Sequence, residues 1–233
     1  PGDQIEDVEK KLYELAEVGR FDQGFVPFSD ALSAAVDMAA AAHDRAGGLS
    51  GIATGLTDHD RLKGGLQRST QKLLAARPAM GKTSLATNGV AGFFSLEMSS
   101  EQLATRILAE QSGISSSHIR RGAITESQFH DLVDATKLMQ QLPFYIAQPG
   151  GITIGPLAAR ARRLKRQKGL DVLMVDYLQL LSGSGKRASD SRVNEVTEIT
   201  TGLKALAKEL DVPIVALSQL SRQVEQRDDK RPQ

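Results

Sequence analysis

The chain has 233 residues, with 29 Lys and Arg set against 28 Asp and Glu for a formal charge of +1, and it contains no Cys and no Trp. With 40% of residues apolar and 24% charged, its composition is ordinary for a globular protein, which excludes wholesale disorder, a disulfide scaffold, thiol catalysis and thiolate metal sites. No apolar run approaches the roughly 20 residues of a membrane helix, and Pro1-Gly-Asp-Gln has no signal-peptide core, so the expectation is a soluble, cytoplasmic protein with no membrane partner. Near-zero net charge argues against coating nucleic acid by bulk charge, and leaves a local basic lining as the route to such a partner.

The first predicted element is an amphipathic helix over residues 3–19, with Asp3 as N-cap, Glu6 in the capping-box position and Gly19 as its stop. Ile5, Val8, Leu12, Leu15 and Val18 form one apolar stripe, which needs a groove on its own domain or on another subunit. Arg20 to Phe28, with Gly24 and Pro27, reads as a linker, so the expected division is 1–28 as linker helix and linker and 29–233 as one α/β domain. Ser29 then caps an Ala-rich helix to about Arg45, ended by Gly47-Gly48. From Gly64 onward strands and helices alternate, the pattern of a parallel sheet with crossover helices. Buried strands are expected at Phe144–Ala147, Val172–Val175 and Pro213–Leu217, with helices over about 100–112, 125–141, 155–168 and 191–210. Ser99 with Gln102, and Thr125 with Gln128, fit capping boxes, while Gly113 and Gly169 fit helix stops.

Ala76-Arg-Pro-Ala79-Met80-Gly81-Lys82-Thr83-Ser84 matches the phosphate loop G-x-x-x-x-G-K-[ST], with Ala76 in place of the first Gly. In such a loop consecutive amides face a phosphate at a helix N-terminus, Lys82 holds the β and γ phosphates and Thr83 ligates Mg²⁺, so ATP and Mg²⁺ are the expected cofactors. Only Ser84 to Gly92 then separate the loop from the apolar run Phe93-Phe-Ser-Leu96. A loop helix that crosses a sheet and returns needs about a dozen residues or more. The spacing therefore predicts that a stretch is missing from this sequence near Asn88-Gly89-Val90, and the same expectation holds after Gln233.

Three polar residues end apolar runs. Glu97, after Phe93-Phe-Ser-Leu96, either polarises a water that attacks a γ-phosphate or caps the helix that begins near Ser99. Asp176, after Val172-Leu-Met-Val175, sits at the carboxyl edge of a buried strand, where doubly wound sheets collect ligands; it reads as a carboxylate on the Mg²⁺ side or as a solvated strand end. Gln219, after Ile214-Val-Ala-Leu-Ser218, either senses the γ-phosphate or is a plain strand-end amide. The basic run Arg160, Arg162, Arg163, Lys165, Arg166 and Lys168 falls outside the stripe Leu157, Ala161, Leu164, which favours a solvated or intersubunit face over a nucleic-acid site. The loop Ser182–Asp190, on the same edge as Asp176, carries Lys186 and Arg187 and is the better DNA-contact candidate. The four His residues show no ligand spacing, so no metal other than Mg²⁺ is expected.

Ala75-Ala-Arg-Pro-Ala-Met-Gly-Lys-Thr-Ser84, Phe93-Phe-Ser-Leu-Glu-Met98, Val175-Asp-Tyr-Leu-Gln-Leu-Leu181 and Ala216-Leu-Ser-Gln-Leu-Ser-Arg222, in that order, closely resemble the motor domain of bacterial replicative DNA helicases, the DnaB family. The resemblance implies a RecA-like P-loop NTPase core with a mostly parallel sheet, preceded by a helical linker that docks on a neighbour. It implies a homohexamer around single-stranded DNA, driven by ATP hydrolysis to translocate and unwind, with primase and a helicase loader as partners. It also implies roles: Lys82 and Thr83 on phosphates and Mg²⁺, Glu97 as the water-activating carboxylate, Asp176 on the metal side, and Gln219 as phosphate sensor. Thr70-Gln-Lys72 departs from the family's more apolar strand start. The family's primase-contacting N-terminal domain, and the C-terminal stretch with its arginine finger and much of the DNA loop, are expected outside this chain. Two rival readings are a RecA-type recombinase, which the linker helix and the Ser-Leu-Glu-Met context oppose, and a loader-like module that uses nucleotide only for assembly, which DNA-stimulated turnover and strand separation would distinguish.

Overall fold

The computed structural model of the protein describes residues 26–44, 49–76, 89–183 and 192–219. The predicted helix over 3–19, the phosphate-loop residues Ala79, Met80, Gly81, Lys82, Thr83 and Ser84, and the loop residues Lys186 and Arg187 lie outside the described residues. The chain divides into two compact units, Pro1–Ser50 and Gly51–Gln233. This division follows the Ala-rich helix, whereas the linker composition drew the boundary before it.

In the first unit, α1 spans Phe28–Asp44. Ser29 is not its N-cap: the amides of Asp30 and Ala31 donate to the Pro27 carbonyl (3.1 and 3.3 Å), so the helix starts two residues earlier and the Ser29 hydroxyl donates to Asp30 instead. Phe28, Leu32 and Val36, spaced one turn apart, are exposed.

The second unit is a parallel sheet of five strands: β1 (Gln71–Ala76), β2 (Ala91–Ser95), β3 (Phe144–Ala147), β5 (Val172–Asp176) and β7 (Ile214–Gln219), in the spatial order β1–β7–β5–β2–β3. Side chains alternate between faces along a strand. Leu173, Val175, Ile214, Ala216 and Phe94 therefore share one face with Leu157 and Ala161 of α6 (Ile154–Lys168) and Leu203 and Ala207 of α7 (Arg192–Leu210). Val172, Met174, Val215, Leu217 and Phe93 share the other with Leu66 and with Leu103 of α3 (Ser100–Ser112). Burial on both faces is the reason these strands read as unbroken apolar runs. The helices carry the expected caps: Ser99 and Gln102 form a capping box on α3, and Thr125 and Gln128 form one on α5 (Glu126–Met139). Short elements absent from the sequence reading are α2 (Thr57–Lys63), α4 (Ser116–Arg121), and a parallel pair of two-residue strands, β4 (Ile152–Thr153) and β6 (Leu181–Ser182).

Despite its polar start, β1 forms. Among the described residues it has β7 as its only neighbouring strand, the Ile214 amide donates to the Thr70 carbonyl (2.8 Å), and the Lys72 ammonium reaches the Gly65 carbonyl (3.3 Å). Two strands, β7 and β5, separate β1 from β2. At about 4.8 Å per strand the β1-to-β2 connection must cover about 14 Å sideways and also return to the amino edge. The stretch predicted missing near Asn88 borders residues 77–88, outside the described residues; beyond it the chain is held, with the Val90 amide donating to the Asp171 carboxylate (2.8 Å).

Within the basic run on α6, Arg162 and Lys165 are tied to α7. Arg162 forms a two-pronged bond to Glu209 of α7 (Nε–Oε1 2.6 Å, Nη2–Oε2 2.8 Å), and the Lys165 ammonium donates to the Leu210 carbonyl at the α7 C-terminus. Arg160, Arg163, Arg166 and Lys168 are exposed.

Candidate active site

The strand order brings the chemistry to one edge. Because all five strands are parallel, β1, β7, β5 and β2 end side by side, so the first residue of the phosphate loop, Gln219, Asp176 and the Ser95–Glu97 corner follow one another along the carboxyl edge. The register sets their depth. Ala76 pairs with Gln219, Val175 with Ala216, and Ser95 with Asp176. Gln219 lies three residues past Ala216 and Asp176 one past Val175, so Gln219 reaches two residues beyond the level of Asp176; Glu97 lies two residues past Ser95. Gln219 thus ends the strand on one side of Asp176, and Glu97 lies in the bend that follows the strand on the other.

Asp176 is buried, with 8% of its surface exposed, and sits beside the buried Ser95. Its carbonyl accepts from the Leu96 amide (2.8 Å), which continues the β2–β5 ladder past the last pair, while the Ser95 hydroxyl donates to the Met98 carbonyl (2.7 Å) and shapes the corner that presents Glu97. Glu97 itself is exposed. The helix that follows is capped without it, by the Ser99 hydroxyl accepting from the Gln102 amide and by the Gln102 side chain accepting from the Ser99 amide. The acid of the first turn is Glu101, whose pKa lies below the ordinary value chiefly through its hydrogen bond with Ser99. The donor set at Asp176 suits magnesium, which takes one or two carboxylates and completes its shell with phosphate and water. Among the described residues no group of three or more His, Cys, Asp and Glu is arranged to hold a metal ion.

The chain after Asp176 makes a 3₁₀ turn, Leu178–Leu180, and here sequence reasoning missed a contact: the Gln179 amide donates to the Ser218 hydroxyl (2.9 Å), next to Gln219. Beyond it β6 pairs with β4, and the Gly183 amide donates to Glu195 of α7 (3.0 Å). Glu195 thus anchors the stem of the loop that carries Lys186 and Arg187. A surface hollow lined by Ser117, Arg120 and Arg121 belongs to α4 and not to the strand ends. No helix of the described residues is long and apolar enough to cross a membrane.

A family profile described as DnaB-like helicase C terminal domain matches residues 51–233. The chain is 44% identical to the replicative DNA helicase DnaB of Rickettsia bellii, with 99% of the chain and 50% of the relative covered. It is 41% identical to the replicative DNA helicase DnaC of Bacillus subtilis (99% and 53% covered) and 40% identical to DnaB of Geobacillus stearothermophilus (98% and 52%). The chain spans about half the length of these relatives. The Rickettsia alignment covers 254 positions, more than the 233 residues of the chain, so the relative carries residues where this chain has none. Among solved structures, one described as an ATPase domain is similar at TM-score 0.80 and 34% identity, covering 91% of this chain and 76% of that one. A DnaB-like replicative helicase studied for its interactions with primase is similar at TM-score 0.76 and 32% identity, covering 97% and 56%.

Proposed function

The chain belongs to the DnaB-like helicase C-terminal domain family, and on that premise we propose that it is the ATP-hydrolysing motor of a replicative DNA helicase, working as a homohexamer on single-stranded DNA, with primase and a loader as partners. The observation that carries this reading is the row of strand ends, in which the start of the phosphate loop, Gln219, Asp176 and Glu97 share one edge of a RecA-like sheet.

In the proposed mechanism the loop amides and Lys82 would hold the triphosphate, and Thr83 with Asp176 would hold Mg²⁺, which would neutralise phosphate charge. Glu97 takes a proton from the attacking water. Its exposure, and the independent capping of α3 by Ser99 and Gln102, leave it available for that task. Gln219, on the strand between the phosphate-loop strand and the Asp176 strand, reports whether the γ-phosphate is present. The loop bearing Lys186 and Arg187 supplies phosphate contacts to DNA, which orient the protein on the strand without reading its sequence.

The test is Glu97→Gln in the full-length protein. The amide keeps size and hydrogen bonding but loses basicity, so nucleotide still binds while turnover falls by about 10² or more, the scale of a positioned base. Near-normal turnover would remove Glu97 from the chemistry.

A further inference from the structure

We propose that Gln179 is a positioning residue that couples DNA binding to nucleotide turnover, through its hydrogen bond to Ser218. The inference rests on the motor reading above and names a part of it that neither phosphate chemistry nor the DNA-loop charges supply.

The geometry is a short lever between two strand ends. Gln179 lies three residues past Asp176, in the 3₁₀ turn that begins at Leu178, and its Nε2 donates to Ser218 Oγ at 2.9 Å. Ser218 precedes Gln219 and pairs with Ala75, while Gln219 pairs with Ala76, where the phosphate loop starts. A strand moves as a unit, and its successive residues point to opposite faces. A displacement of Gln219 toward or away from phosphate therefore moves Ser218, and with it the Gln179 amide. The turn is rigid enough to pass that motion on, because Leu178 and Leu181, on either side of Gln179, are 2% and 1% exposed. At its far end the same segment is tied down twice, by the β4–β6 pairing at Leu181 and Ser182 and by the bond from the Gly183 amide to Glu195. Between Asp176 and Gly183 the chain is thus anchored by the buried Leu178 and Leu181 and by these bonds, and Gln179 is fastened to the strand carrying Gln219. Without the fastening, the two strand ends keep their β5–β7 ladder but lose the side-chain tie above it.

Coupling of this kind requires coupling data, which a double-mutant cycle supplies. ATP turnover is measured with and without a saturating single-stranded oligonucleotide for wild type, Gln179→Ala, Ser218→Ala, the double variant and Ser218→Thr, all as full-length protein. The expected result is basal turnover within about two-fold of wild type in every variant. DNA stimulation should fall at least about five-fold in both Ala variants and no further in the double, and should persist in Ser218→Thr, which keeps the hydroxyl. The ratio of stimulated to basal turnover is a quantity that general destabilisation would not move selectively, and Ser218→Ala, which removes a single atom, carries the test should Gln179→Ala fold poorly. Retained stimulation in the Ala variants, or losses that multiply in the double, would overturn the proposal while leaving the motor reading intact. A wild-type protein that DNA does not stimulate would overturn both.

Discussion

Asp60 holds the start of the second unit together with one carboxylate. It accepts from the Thr54 amide (2.9 Å), the Thr54 hydroxyl (2.7 Å) and the Gly55 amide (3.1 Å), and only 8% of its surface is exposed. Burial opposes its ionisation, but the bonds from the Thr54 hydroxyl and amide and from the Gly55 amide, with the His59 imidazole 3.6 Å away, outweigh that, and its pKa lies below the ordinary 3.8. A depressed carboxylate stabilises the fold fully above its unfolded value, and that contribution is lost as the pH falls through the lower folded value. Asp60→Ala should cost about 2 to 4 kcal/mol, because it strands several buried donors at once. Asp60→Asn should cost less, and its deficit in urea midpoint relative to wild type should shrink between about pH 6 and pH 3. A deficit independent of pH would mean that the charge of Asp60 is not what the loop uses. Nothing in the spacing of Thr54 and Asp60 announces this bond, since it joins residues six apart across a turn and follows neither helical nor strand period.

At the scale of elements, α6 comes down closely on β2. A Cβ at Gly92 would lie 2.9 Å from Leu164 and 3.2 Å from a Leu170 methyl, so the strand needs a glycine where the helix and the chain after it cross. Gly92→Val should overpack that contact and lower stability by about 1 to 3 kcal/mol, read as a lower thermal midpoint; an unchanged midpoint would show that α6 can lift without cost. Such contacts explain what the sequence makes legible and what it hides. The helices bearing capping boxes and the strands buried on both faces were readable because their signals are local: Ser99 with Gln102, Thr125 with Gln128, and the run Val172-Leu-Met-Val175. The helices α2 and α4 have seven and six residues, fewer than two full turns, so no apolar stripe repeats. The pair β4–β6 is two residues long and has no alternation to detect. Asp176, Glu97 and Gln219 each stood out as a polar stop to an apolar run, but their adjacency follows from the order β1–β7–β5–β2, which no spacing encodes. Resemblance to a known family implies roles that position alone leaves open, and the Gln179 contact has no local signal because its partner lies 39 residues away.

At the scale of the whole molecule, the proposed hexamer asks for surfaces that a single chain leaves open. Phe28, Leu32 and Val36 of α1 are 80%, 52% and 60% exposed, and the stripe Ile5, Val8, Leu12, Leu15, Val18 was expected on sequence grounds to seek a groove. Burying a large aliphatic side chain is worth roughly 1.5 to 3 kcal/mol, so Leu32→Asp with Val36→Asp should remove several kcal/mol from each subunit contact if α1 docks on a neighbour. Because both positions are exposed within the chain, the helical signal in circular dichroism should stay, while sedimentation should report a smaller species with reduced DNA-stimulated turnover. A ring of unchanged size would place the subunit contacts on other surfaces. This edge of the sheet is proposed to drive a motor on DNA. The most direct measurement is unwinding of a forked duplex by the full-length protein, with and without Lys82→Ala. The account predicts ATP-dependent strand separation by the wild type and none by the variant; a wild type that binds ATP and DNA but leaves the fork paired, or a variant that opens it as fast, would contradict it.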